Sequence, residues 1–215
     1  MDFEDPLTPH AFQEQSGVSR ETLARLEAYV ALLRKWTRRI NLVSRASLDD
    51  IWRRHVLDSS QLMDFLPTPP PDRPRVLLDL GSGAGLPGLV LAILGAGEVH
   101  LVESDGRKAA FLREAARVAE AEVRIHACRI EALAPFPVDV VTARALAPLQ
   151  RLLTLAAPFL GPEARCFFLK GGQVEAELEA ARAQWDFSMV SHPSCTYCSG
   201  TILAIGVSGR ATTPC

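Results

Sequence analysis

The residues in this chain that could do nameable chemistry begin with the run Asp79-Leu80-Gly81-Ser82-Gly83-Ala84-Gly85-Leu86-Pro87-Gly88, directly after the apolar Val76-Leu77-Leu78. A buried strand that ends in alternating glycines and opens into a helix lets a nucleotide-like ligand touch backbone. Glycine is needed because a Cβ would block both the tight turn and the close approach. Asp79, two positions before Gly81, decides the ligand's chemistry. A carboxylate there repels the pyrophosphate of a dinucleotide and suits the ammonium and sulfonium of S-adenosylmethionine. Asp79, Gly81, Gly83 and Gly85 are therefore expected to bind that cofactor. The glycines alone do not decide, since Gly83 to Gly88 also fits the dinucleotide fingerprint G-x-G-x-x-G. Val99-His100-Leu101-Val102-Glu103 reads as a second strand ending in an acid. Glu103 can accept hydrogen bonds from ribose hydroxyls, a role common to both cofactor classes.

In a doubly wound sheet a ligand sits over the carboxyl ends of the strands, which brings further residues to the site. The third strand ends at Cys128-Arg129-Ile130-Glu131, where Ile130 and backbone groups could frame an adenine. The fourth ends at Arg144 and the fifth at Lys170-Gly171-Gly172. The fourth strand end lacks the Asn/Asp-Pro-Pro-aromatic run of exocyclic-amine methylating enzymes and the nucleophilic Cys of pyrimidine C5 enzymes. It offers Arg144, which cannot serve as a base. A nucleophile with its own lone pair fits that absence, and guanine N7 is one, with Arg or Lys pairing naturally to O6 and N7. Transfer to it needs in-line placement more than acid–base help. Arg144 is expected to orient substrate or cofactor, and Lys170 to hold RNA phosphate or, as readily, to face solvent.

These residues need a frame. Strands are predicted over 75–80, 98–103, 123–128, 138–142, 164–170, 187–191 and 201–207. Helices are predicted over 89–94, 107–119, 149–159 and 174–185. Alternating βα units closed by a hairpin predict an α/β fold: a doubly wound, mostly parallel seven-stranded sheet of the S-adenosylmethionine methyltransferase, Rossmann-like type. Ahead of it, a helix from Ser19 carries a stripe of Leu23, Leu26, Val30 and Leu33. A second starts at Ser47, with Asp50 as capping partner, and runs toward Phe65. The expected domains are a helical appendage over 1–66, a Pro-rich linker over 67–74, a catalytic domain over 75–207 and a tail over 208–215.

With 215 residues, 48% of them apolar and 22% charged, the chain can bury a sizeable core. Its net charge of −2 gives no overall basic field for nucleic acid. A local patch must supply it: Arg34, Lys35, Arg38, Arg39, Arg45, Arg53 and Arg54 face only Asp49 and Asp50. This RNA-binding reading competes evenly with an ordinary solvated face. Trp36, Trp52 and His55 are expected in the core, with His55 bonded to Asp58 or Asn41. No leader or bilayer-length apolar run is visible, so a cytoplasmic protein without a membrane partner is expected; a monomer is expected as well. Five cysteines fit a reducing compartment. Cys195-Thr196-Tyr197-Cys198 lacks the further ligands of a zinc site and the context of a redox site, so incidental hairpin thiols and no metal are expected.

Taken together, several segments resemble one family, the bacterial small-subunit ribosomal RNA methyltransferase G family, also called glucose-inhibited division protein B. They are Asn41-Leu42-Val43-Ser44, Arg54-His55-Val56-Leu57-Asp58-Ser59, the glycine run, Glu103-Ser104 with Lys108 and Phe111, Arg129-Ile130-Glu131, Arg144-Ala145 and Lys170-Gly171. They stand in the family's order over about residues 29 to 172. The resemblance implies methyl transfer from S-adenosylmethionine to N7 of a guanine in 16S ribosomal RNA near the decoding centre, with the RNA or the small subunit as partner. It carries cofactor contacts to Gly81, Leu86, Ile130, Glu131 and Arg144. The chain departs from the family's basic, Pro-rich C-terminus, and its segment 191–201, with two cysteines, has no match in the pattern. Two other readings stay open from the residues: a nucleotide-dependent oxidoreductase, and a non-catalytic RNA-binding protein that kept the fold.

Overall fold

Alternation along the first strand sets the layers of this protein, seen here in a computed structural model that describes residues 5–172 and 174–211. In β1 (Val76–Leu80), Leu78 and Leu80 pack on one face with Val141, Leu153 and Phe168, while Leu77 packs on the other with Leu89 and Phe111. Both faces are apolar because both are covered, as a parallel sheet requires. The remaining strands are β2 (Glu98–Val102), β3 (Val123–His126), β4 (Val138–Arg144), β5 (Leu160–Lys170), β6 (Trp185–Pro193) and β7 (Thr201–Arg210). Their order is β3-β2-β1-β4-β5-β7-β6. The first five are parallel, and β7 runs antiparallel between β5 and β6. The expected seven-stranded sheet with an inserted antiparallel strand is the sheet that forms. β1 lies between β2 and β4, so the strand order reverses there and a crevice opens over the carboxyl ends.

The helices fill in around it. α1 (Pro9–Ser16) has Thr8 as N-cap, and α2 (Arg20–Thr37) has Ser19, whose side chain accepts from the Thr22 amide. The single helix expected from Ser47 to Phe65 is broken. It becomes a 3₁₀ turn (Arg45–Ser47), a π-helical stretch (Trp52–Leu57), the short α3 (Asp58–Ser60) and a second 3₁₀ stretch (Gln61–Phe65). The Ser47–Asp50 capping pair does not form. Ser47 Oγ donates to the Ser44 carbonyl, and the Asp50 carboxylate accepts from Leu7 N and Arg53 Nε. α4 (Gly88–Ile93), α5 (Gly106–Val118), α6 (Leu149–Ala156) and α7 (Val174–Arg182) complete the set.

The N-terminal helices share a core with the sheet. Phe12, Leu26, Tyr29 and Trp52 belong to the same apolar cluster as Leu77, Leu89 and Phe111. Arg25 reinforces this by donating to the carbonyls of Ala119 and Glu120 after α5. The Pro-rich stretch is fastened as well, since Arg75 Nε donates to the Pro67 carbonyl and Nη1 to that of Ala96. At the other end, β7 continues through Arg210, past the start expected for the tail at 208. Trp185, expected in a helix, opens β6 with the Arg210 guanidinium 3.9 Å over its ring. Residues 212–215, including Cys215, lie outside the described residues.

Candidate active site

The glycine run performs the turn that its composition requires. Gly81, Gly83 and Gly85 have φ of 64°, 54° and 83°, the left-handed region that side chains disfavour. The turn is tied down by Ser82 N donating to the Val102 carbonyl and Gly85 N to that of Ser82. Glu103, only 7% exposed, fixes it from just past the end of β2: Oε2 accepts from Gly83 N at 2.9 Å and Oε1 from Asp105 N at 2.7 Å. Each oxygen keeps a lone pair for a further donor. On the other side, the buried Tyr29 of α2 donates to the Ala84 carbonyl at 2.8 Å.

Over this turn lies a groove of about 370 Å³ lined by Gly81, Gly83, Glu103, Ile130, Glu131 and Leu146, among others. A Cβ on Gly83 would meet nothing nearer than the Gly81 carbonyl at 3.7 Å, so the room that a side chain would fill is left to a ligand. Glu103 supplies the acceptor that a ribose needs, and half-buried Ile130 an apolar wall. Glu131, exposed, is ion-paired with Arg151 at the rim. These residues fit a nucleoside cofactor.

Four residues expected to bind the cofactor do not line this groove. Asp79 is fully buried beneath the turn, because the pleat of β1 aims it at α4, where a Cβ on Gly88 would be 2.6 Å from its own. Its Oδ1 accepts from Thr142 Oγ1 at 2.7 Å, and Oδ2 meets no donor in good geometry. Burial pushes the carboxyl up to about 6, tempered by Thr142, Ser82, the Gly88 amide and the Arg144 charge. Glu103 is the buried acid of the groove, and Asp79 does not line it. Gly85 packs against Leu89 and Leu112, and Leu86 belongs to the core.

Arg144 is the fourth, and it lines a second, larger cleft of about 800 Å³ over the ends of β4 and β5. The two cavities share a wall, residues 145–147. Arg144 Nη1 donates to Asp58 Oδ2 and the Arg54 carbonyl, and Nη2 to His55 Nδ1 at 3.0 Å. Burial, then Arg144 and Arg54, lower the His55 pKa to about 3, so the imidazole is neutral. With Nδ1 accepting from Arg144, the network assigns the proton to Nε2, which donates to Ser47 Oγ at 2.8 Å. His55 is buried as expected, but its partners are Ser47 and Arg144 rather than Asp58 or Asn41. Arg54 and His55 come from the π-helical stretch, an irregularity frequent at functional sites.

Asp58 was legible only as a partner for His55. Its Oδ1 accepts from Gln61 Nε2 and Thr196 Oγ1, and Gln61 Oε1 accepts from Cys195 N. The hairpin loop 194–200 is thereby docked on α3, which places Tyr197 on the cleft wall. Lys170, expected to hold phosphate or face solvent, is tied into the wall of the larger cleft. Its Nζ pairs with Glu177 at 2.6 Å and donates to the Ala147 carbonyl, with the side chain 9% exposed.

The basic patch divides similarly. Arg34, Lys35, Arg38, Arg39 and Arg54 are exposed. Arg53 is buried, with Nε on Asp50 and Nη2 on the Asp5 carbonyl, so it does not belong to an outer surface. Trp52 is a core residue, packed on Phe12 at 5.5 Å, and Trp36 lies partly buried against the core, on Phe111 at 5.7 Å.

A parallel sheet with an antiparallel β7 beside β5, and a nucleoside groove at its switch point, defines the class of S-adenosylmethionine-dependent methyltransferases. Solved structures share this fold. A mutant of MtNAS in complex with S-adenosylmethionine superposes with a TM-score of 0.55 at 14% identity, covering 94% of this chain and 84% of that one. The mitomycin 7-O-methyltransferase MmcR gives 0.55 at 14%, covering 96% and 74%. The sequence narrows the class. A family model described as rRNA small subunit methyltransferase G matches residues 22–205. Ribosomal RNA small subunit methyltransferase G of Rhodospirillum rubrum is 60% identical over 205 residues, 95% of this chain and all of that protein. Its counterpart in Rhodospirillum centenum is 57% identical over 194 residues, covering 90% and 88%. The chain belongs to the rRNA small subunit methyltransferase G family and is an S-adenosylmethionine-dependent methyltransferase. The oxidoreductase alternative finds no support in these relationships.

Proposed function

We propose that this enzyme transfers a methyl group from S-adenosylmethionine to N7 of a guanine in 16S ribosomal RNA near the decoding centre. It acts as a cytoplasmic monomer on that RNA or on the small subunit. One observation carries the choice of nucleophile. Among the described residues, the carboxylates and the imidazole of the larger cleft are all engaged: Asp58 by Arg144, Glu177 by Lys170, and both nitrogens of His55. An exocyclic amine or a hydroxyl must shed a proton on methylation, whereas N7 has none to lose.

The Gly81–Gly83 backbone, Glu103 and Ile130 would hold the cofactor, which when bound would supply an electrophilic methyl on a sulfonium. The N7 lone pair forms the new bond as the carbon–sulfur bond breaks, and the electron pair stays on sulfur. Positive charge passes from sulfonium to the purine, so no base is called for and placement carries the rate. Arg144 spends three of its five N–H groups on Asp58, Arg54 and His55, which leaves one Nη2 and the Nε N–H for a ligand such as O6. The exposed Arg34, Lys35, Arg38, Arg39 and Arg54 meet the phosphates.

Incubation with tritiated S-adenosylmethionine and small subunits, followed by mapping of the label, tests this. Label at N7 of a 16S guanine is expected. Label at an amine or a ribose hydroxyl would refute it.

A further inference from the structure

Of the side chains around the larger cleft, Tyr197 is the one benzenoid ring among the described lining residues, and it has no part in the network that binds Arg144. The protein builds its position with care. Thr196, 2% exposed, anchors the loop through Asp58, and Gln61 grips it from both amide atoms, donating to Ser194 Oγ and accepting from Cys195 N. The loop closes onto the ring itself: a Cβ at Gly200 would stand 2.7 Å from Tyr197 Cζ. The phenol oxygen lies 3.5 Å from the Lys170 carbonyl. What faces the ring is a cation, the guanidinium of exposed Arg54 at 5.9 Å from the centroid.

We propose that Tyr197 holds the target base by a cation–π contact that strengthens as the purine becomes positively charged. This rests on the N7 reading above. Methylation at N7 turns a neutral ring into a cationic one, and a π-face attracts a cation more than its neutral parent. An interaction stronger in the transition state than in the ground state raises kcat, not only affinity. Arg54, whose side chain is exposed, occupies this ring face and yields it to the base. A base removed from its stack also recovers stacking on the same ring. Burial and the Asp58 carboxylate raise the phenol above its ordinary range, so the ring is uncharged at working pH and Phe is a fair mimic.

The test is single-turnover methylation of small subunits, saturating in both substrates, with S-adenosylmethionine affinity measured alongside. Tyr197→Leu keeps apolar bulk against Gly200 and should lower the rate by about 2- to 30-fold relative to Tyr197→Phe, the range of a cation–π contact. Placing mono-, di- and trifluorinated phenylalanine at position 197 withdraws electrons from the ring while preserving its shape. The rate should fall stepwise along that series, with cofactor affinity unchanged. A flat series, or a Leu variant equal to the Phe variant, overturns the proposal even if Tyr197→Leu alone were unstable. Failure of the N7 reading is seen separately, in where the unaltered enzyme places its label.

Discussion

Replacing Asp79 with Asn should change how stability depends on pH, by an amount the structure sets. The Asp79 carboxyl is pushed to about 6 by burial, against an ordinary value of about 4 in the unfolded chain. Between about pH 4 and 6 the folded protein therefore binds more protons than the unfolded one. Stability falls as pH rises through that window, and the cost is complete above it. Two pH units at about 1.4 kcal/mol each make about 3 kcal/mol. Asn has no charge to desolvate and keeps an oxygen for the Thr142 hydroxyl. Its amide nitrogen takes the place of Oδ2, where no partner awaits, at a pH-independent cost of about 1–3 kcal/mol. Urea unfolding of both proteins, followed by tryptophan fluorescence from pH 4.5 to 7.5, isolates the group, because other titrations cancel in the difference. The stability of Asp79→Asn minus that of the parent should grow by about 2 kcal/mol over this range. A difference that stayed constant, or shrank with rising pH, would refute the burial argument.

Other outcomes follow from the same geometry. His55 is held neutral down to about 3, so between about pH 6.5 and 3 the unfolded chain gains a proton that the folded one refuses, and stability is lost as pH falls; His55→Gln should flatten that acid limb in denaturation curves. Gly83→Ala puts a methyl group into the groove at a φ of 54°, so calorimetry should show S-adenosylmethionine affinity reduced at least about tenfold, with about 1–2 kcal/mol of stability lost. Arg38→Ala and Arg39→Ala should weaken RNA binding and each flatten its salt dependence by about one unit of slope. Arg53→Ala should leave that slope unchanged yet destabilise the fold by about 3 kcal/mol, by stripping Asp50 of its buried ion-pair partner.

The sheet was legible because each βα unit carries its own period and its own breakers. Val76–Leu80, Glu98–Val102 and Val138–Arg144 are apolar runs bounded by glycine, proline or charge, and the hairpin was marked by its polar turn. The segment 45–65 was not legible, since its apolar residues fit one continuous helix. Only the tertiary demands on Asp50, His55 and Asp58 break it into π and 3₁₀ turns. In the site, Glu103 and the backbone of Gly81 and Gly83 are where a strand-end argument puts them. Asp79 was misplaced because proximity to the glycines says nothing about which face of the pleat its side chain takes. Lys170 and Arg53 were read as available cations because their partners, Glu177 in α7 and Asp5 near the N-terminus, are distant in sequence or in another element. The docking of 194–200 on α3 joins residues more than a hundred positions apart and leaves no local pattern.

Because Phe12, Leu26, Tyr29 and Trp52 share one apolar cluster with Leu77, Leu89 and Phe111, cutting the basic face away would also open the core of the catalytic sheet. Trimming the first 65 residues would strip oily cover from one whole side of the sheet and take Tyr29 from beneath the glycine turn. The proposed grip on the nucleic acid and the proposed grip on the methyl donor would then be lost in a single event.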